Sequence, residues 1–265
     1  MLPGANAQAK VTQESLASCG TALSCYDLTI LAGYVMEIAE LQAKLRRQAV
    51  IMQIGGARPS DDLAASWFGK VNLALPGEAW PLFNEQPMLP LSQINIKALP
   101  VIPDILADLE FVTVFIEPGE LPLDTPNGEG WCLRSYRELS KLVPLEMPGD
   151  LESNIKPFPL FAQLRDDDYP CHEDCDIELP EEVDENYYDY FQGLDGFKIG
   201  GWPRLIQSDI FWAPYNKHDA KPEFAFQIDS SDKAQWAWGD GGIGYFGRGT
   251  APGHEDEWAL TWQCF

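Results

Sequence analysis

From about residue 66 onward, proline and glycine return every few residues, and the apolar runs between them are short. Proline lacks the amide proton that a helix interior needs, and glycine is costly to fix there, so such a stretch reads as short strands and turns. Residues 92–96 alternate with period two, and Phe111 to Ile116 form a continuous β-branched and aromatic run; both read as strands. Phe224, Phe226 and Ile228 alternate with Ala225, Gln227 and Asp229, and residues 259–265 make a further strand candidate. Ser135 to Val143 reads as a short helix, and residues 144–165 are broken by proline.

The N-terminal part differs. Residues 1–26 are small and polar and are expected to form a loose arm. Leu28, Leu31, Val35, Ile38, Leu41 and Leu45 then recur at three- and four-residue spacing, the mark of one apolar helix face, with Asp27 as N-cap. Glu37, Glu40 and Lys44 interrupt that stretch, so it does not read as a membrane span. No basic segment followed by an apolar run and a small-residue cleavage site is seen, and a cytoplasmic protein is expected.

Residues 166–195 stand apart from the rest. Thirteen of the thirty are Asp or Glu and none is Lys or Arg, within a chain whose net charge is −23. Such a protein is repelled by nucleic acid and by anionic membranes and attracted to basic proteins. Tyr169, Tyr187, Tyr188, Tyr190 and Phe191 are interleaved with the acids, which a purely solvating tail would not carry. A helix is expected from about Pro180 to Gln192, with acidic residues in its first turn as the helix dipole favours.

The cysteines are read as reduced thiols in a chain of this length. Cys171-His172-x-x-Cys175 offers two thiolates and an imidazole, but a structural zinc site takes four ligands and no second pair is evident, so no metal is assigned. Gly239 to Gly244 is not a phosphate loop, because Tyr245 and Phe246 follow where Lys and Ser or Thr are needed; a tight strand–turn–strand is expected. Asp229 and Asp240 lie on motif strands and could face one another. With Trp202, Gln207, Gln227 and Trp238 they form a candidate polar pocket. No G-x-S-x-G elbow or H-E-x-x-H pair occurs, and no catalytic residue or cofactor is assigned.

Two parts of the chain echo each other. Phe68-Gly69, Trp80-Pro81 and Gln93-Ile94-Asn95 come in the same order as Gly200-Gly201, Trp202-Pro203 and Gln227-Ile228-Asp229. The echo points to a duplicated β unit. The expected fold is α+β: two related β-rich repeats (66–150 and 196–265) forming antiparallel sheets, an N-terminal amphipathic helix, and an acidic helical insert (166–195). The arm and helix would occupy residues 1–57 and the main domain 58–265.

Lys198-Ile199-Gly200-Gly201-Trp202-Pro203 with Ile206-Gln207, Phe226-Gln227-Ile228-Asp229-Ser230, Trp238 to Phe246, and Trp262-x-Cys264-Phe265 resemble, in order, the motifs of YwqG-like proteins. That family is a bacterial domain of unknown function discussed beside polymorphic toxin systems, where acidic cytosolic proteins act as immunity partners. The resemblance implies a non-enzymatic immunity protein that blocks a basic toxin domain sterically and electrostatically. Its contact residues would be Asp166, Asp167, Asp168, Glu173, Asp174, Asp176, Glu181, Glu182, Asp184 and Glu185, with Tyr187, Tyr188 and Tyr190 as anchors. The alternative is a small-ligand-binding protein or enzyme with its pocket between the repeats.

Overall fold

The computed structural model describes residues 37–56, 58–210, 212 and 218–265. The expected arm at 1–26 and the first part of the expected helix, residues 28–36, lie outside them. The chain divides into two units, Met1–Lys44 and Leu45–Phe265. In the first, residues 37–44 are helical. The second is largely β and antiparallel.

Its strands are β1 (Arg47–Ile54), β2 (Trp67–Phe68), β3 (Leu73–Ala74), β4 (Leu82–Phe83), β5 (Gln86–Pro87), β6 (Leu89–Asn95) and β7 (Phe111–Ile116). They continue with β8 (Trp131–Tyr136), β9 (Val143–Pro144), β10 (Phe158–Asp168), β11 (Lys198–Gly200), β12 (Pro222–Asp229), β13 (Ile243–Gly249) and β14 (Trp258–Gln263). Ten of them make one sheet in the order β14-β13-β12-β11-β1-β10-β2-β6-β7-β8, while β3 pairs with β9 and β4 with β5. Outward from the central β1–β10 pair, each side runs through a short strand and then three strands in chain order. Gln93 and Gln227 hold the same place on either side: Gln93 lies opposite Trp67 of β2, and Gln227 opposite Lys198 of β11.

Three expectations change. The domain does not begin at residue 58, because β1 lies at the centre of the sheet between β11 and β10. Its apolar run, Ala49 to Met52, follows the helical stripe without a break, and so short a run does not separate the strand period from the helical one. Ser135 to Val143 is not an α-helix: β8 runs to Tyr136, a 3₁₀ turn covers Leu139–Lys141, and β9 starts at Val143. Trp80-Pro81 is not placed like Trp202-Pro203. Trp80 lies beyond β3 and packs edge-on against Phe115 at 5.1 Å, whereas Trp202 follows β11 directly.

The continuous apolar runs reflect burial on both faces of the sheet. Along β7, Val112, Val114 and Ile116 enter the main core, while Phe115 packs with Val71, Trp80 and Met88, and Phe111 with Leu73 and Tyr136. The main core draws Leu91, Ile94 and Trp131 from one side of the sheet, and Phe226, Phe246, Trp258 and Leu260 from the other. Phe226 stacks on Phe246 at 4.6 Å, and Trp131 meets Phe246 edge-on at 6.3 Å. The sheet therefore curls until its two sides share a core. At its ends, Trp258 Nε1 of β14 donates to Ser135 Oγ of β8 at 3.3 Å. Beside that contact, buried Arg248 of β13 makes a two-pronged pair with Asp108 (2.5 and 2.9 Å), and Arg137 bridges Asp108 to Asp256.

The glycines of β13 make room for indoles. A Cβ on Gly244 would overlap the six-membered ring of Trp238, which is fully buried, and one on Gly247 would come within 2.7 Å of Trp212. Gly244→Ala should cost about 1–3 kcal/mol, the usual penalty for overpacking a filled core, measured by urea denaturation of the purified protein.

Candidate functional site

A cavity of about 630 Å³ opens where the loop after β11 passes the acidic insert. Arg204, Leu205, Ile206, Gln207 and Ser208 form one wall; Glu173, Tyr188 and Asp195 form another; Asp229, Gly241, Ile243 and Phe265 complete it.

Buried amides hold the loop wall in place. Gln227 Oε1 accepts from Arg204 N at 2.9 Å, and Gln263 Oε1 accepts from Ile206 N and Gln207 N at 3.0 and 3.1 Å. Gln263 Nε2 donates to Ser208 O at 2.7 Å, and Tyr245 Oη donates to Arg204 O at 2.7 Å. Irregular backbone needs partners when it is drawn into a fold, and here glutamine side chains supply them. Asp229 accepts from Gln227 Nε2 and Gly196 N, each at 2.8 Å. Burial pushes its carboxyl above the ordinary carboxylate range, against those two hydrogen bonds and nearby Lys198.

Behind the cavity lies an ion pair with no solvent exposure. Lys198 Nζ is 3.1 Å from both oxygens of Asp168 and donates to Leu194 O at 2.8 Å. Asp168 also accepts from Leu194 N (2.8 Å) and Trp202 N (2.7 Å). Burial lowers the ammonium pKa of Lys198, and the Asp168 carboxylate opposes that fall. Arg47 stacks 3.3 Å above the Trp202 ring, whose Nε1 donates to Leu45 O.

The insert itself is seated by a few buried groups. Val183, Tyr187 and Phe191 face inward, and Tyr187 Oη donates to Pro170 O at 3.1 Å. The expected single helix is two short ones, Glu181–Glu185 and Tyr187–Tyr190, broken at Asn186. Glu181 and Glu185 repel one another across a turn, and the Asn186 side chain caps Glu182 O, which favours the break.

The predicted contact residues divide accordingly. Asp166 and Asp167 are exposed but belong to the end of β10 and not to a helical insert. Glu173, Asp176, Glu181, Glu182, Asp184 and Glu185 are exposed, as is Tyr188, at 49%. Asp174 and Tyr190 are half-buried. Asp168 and Tyr187 are buried and offer no contact surface: the first is neutralised by Lys198, and the second anchors the insert.

The predicted pocket residues also separate. Gln207 and Asp229 line the cavity. Gln227 and Trp238 are wholly buried as scaffold, and Trp202 is tied up by Arg47 and Leu45. Asp240 does not face Asp229; its side chain is exposed, on the turn before β13. Cys171, His172 and Cys175 do not converge. Cys171 Sγ accepts from Arg204 and Leu205 N, Cys175 Sγ points at Ile177 O, and His172 pairs with Asp184. Among the described residues no group of three or more such side chains could hold a metal ion, and no helix is long and apolar enough to cross a membrane. Arg204, Asp195 and Phe265 were not anticipated. The signals near them were the Ile206-Gln207 pair after Trp202-Pro203, the end of the acidic block at Asp195 and the closing Trp262-x-Cys264-Phe265 motif.

The loop from Arg204 to Ser208, the β11 glycines and Gln227 fall within residues 66–248, which match the model of a domain of unknown function, DUF1963. The chain belongs to the DUF1963 family. No curated protein matches it. In this DUF1963 protein the matched span leaves out β1, at the centre of the sheet, and β14, which carries Gln263.

Two measurements probe the buried charges. Lys198→Met leaves Asp168 buried without its cation and should destabilise the protein by about 3–5 kcal/mol in urea denaturation. Asp174 has a buried Oδ2 with no hydrogen-bond partner among the described residues. Burial, then Asp209 and Glu173, raise its pKa from the ordinary 3.8 to about 6. A carboxyl raised on folding favours the folded state at low pH, and that contribution is lost as pH rises through about 6. Asp174→Asn should therefore raise the melting temperature at neutral pH, have little effect below the ordinary carboxylate pKa, and flatten the profile between.

Proposed function

We propose that this DUF1963 protein is a YwqG-like immunity protein: a cytoplasmic, non-enzymatic binding protein that neutralises a basic toxin domain by covering its cationic surface. The observation that carries the reading is how the acidic insert is held. Val183, Tyr187 and Phe191 fix it to the body, so the carboxylates of Glu173, Asp176, Glu181, Glu182, Asp184 and Glu185 are presented outward on a folded surface and not on a loose tail. A fixed charged face binds with less ordering cost than a tail and steers an oppositely charged partner onto itself. Few of these acids have counter-ions: among the described residues, Asp184 pairs with His172. The net charge of −23 adds long-range attraction for a cationic partner.

We also infer that the two sides of the sheet descend from one duplicated unit. Gln93 supports this: its Oε1 accepts from Asn72 N, and its Nε2 donates to Leu63 O and Ala65 O, much as Gln227 bridges Arg204 N and Gly196 O. The sides differ in charge. Trp67, Gln93 and Asn95 on one side stand where Lys198, Gln227 and Asp229 stand on the other. The second side, with the insert, is the one specialised for ionic recognition.

The test is capture of partners from the native host by the wild-type chain and by a variant carrying Glu181→Gln, Glu182→Gln and Glu185→Gln. The captured protein should be basic, elute as salt rises, and bind the variant at least tenfold more weakly. Expressed alone it should arrest growth, and co-expression of the wild-type chain should restore it. Capture that is indifferent to both salt and neutralisation would sink the electrostatic mechanism; a partner harmless to the host would sink the immunity role.

A further inference from the structure

We propose that the cavity beside the insert is a socket for one lysine or arginine side chain of the basic partner. This rests on the protein-binding reading and assigns it a specific anchor. The lining suits a cationic side chain from stem to head. Leu205, Ile206 and Ile243 supply apolar wall for the methylene stem. Tyr188 is 49% exposed and Phe265 is 85% exposed, and both rings border the opening, where a cation can sit against an aromatic face.

Three carboxylates, Glu173, Asp195 and Asp229, stand against one cation, Arg204. Arg204 is committed: its Nε donates to Asp195 at 2.9 Å, and its Nη1 approaches Cys171 Sγ at 3.5 Å. Glu173 has no ion-pair partner among the described residues. An anion would find little here, because the backbone amides of residues 204–207 are already spent on Gln227, Cys171 and Gln263. A guanidinium or ammonium group could pair with the uncompensated Glu173 carboxylate and complete the socket. The counterpart loop on the other side of the sheet, Gly69 to Asn72, borders a groove lined with Val71, Pro90, Leu145, Met147 and Leu151 and carrying no carboxylate. The acidic socket therefore belongs to one side only.

The experiment is isothermal titration of the full chain with a flexible Gly-Ser peptide carrying spaced arginines, its glutamine-substituted analogue, and free arginine amide. The arginine peptide should bind and the glutamine peptide should not. Glu173→Gln and Tyr188→Ala each change an exposed side chain, and unchanged melting curves would confirm that both variants fold. Each should weaken arginine-peptide binding by about tenfold, the scale of one charge-assisted contact. Glu182→Gln removes the same charge from the insert outside the cavity and should cost about threefold or less. Equal losses for Glu173→Gln and Glu182→Gln would overturn the socket while leaving the acidic face as an undivided field. Free arginine amide binding as tightly as the peptide would also overturn it, since the occupant would then be a small molecule. No binding of any basic peptide would bring down the parent reading as well.

Discussion

Asp168, the last residue of β10, and Lys198, the first of β11, meet through their side chains although β1 lies between the two strands, and neither side chain touches solvent. The chain leaves the sheet at Asp168, makes the whole acidic insert, and re-enters at Lys198. The carboxylate also takes the amides of Leu194 and Trp202, so one group fixes the exit, the return and the loop beyond. A buried pair is weak evidence for net stability, since both charges lose their water. Its value here is positional. It ties the exit, the return and the start of the loop to one buried point, adding to the hold of Val183, Tyr187 and Phe191 on the insert and of Gln227 and Gln263 on the loop.

The remaining polar architecture follows the same logic with neutral groups. Gln227 and Gln263 sit on strands and reach sideways to satisfy the irregular loop that the ion pair has brought near. The aromatic core works by subtraction. Glycines on β13 omit the Cβ atoms that would occupy the space of Trp212 and Trp238, so the indoles pack close against the strand at those positions. Those glycines are packing partners, and the motif that contains them needs no phosphate to explain it.

Much of the sheet was legible in the sequence, because alternation and β-branched runs carry a two-residue period. The strands expected at 92–96, 111–116 and 224–229 overlap β6, β7 and β12. β1 was not legible: Val50 and Met52 follow a helical stripe with no punctuation between, and only pairing with β10 and β11 makes the segment a strand. The site was half legible. Negative charge around 166–195 is plain in composition, but composition does not tell Asp168 from Asp167. The difference is whether Lys198, thirty residues on, arrives opposite. Tyr187 and Tyr188 are neighbours on the four-residue helix Tyr187–Tyr190 and differ only in which face of it they occupy, and that is set by tertiary packing.

A flat sheet of ten strands would present two rows of unsatisfied backbone groups, and partners often bind such proteins by adding a strand of their own. Here the curl brings the two outermost strands together, with Trp258 reaching across to Ser135 and the Arg248–Asp108–Arg137–Asp256 chain alongside. These ties are made by side chains, and β14 and β8 do not pair with one another through their backbones. The corner can therefore be loosened by side-chain substitution while the pairing of the ten strands stays intact.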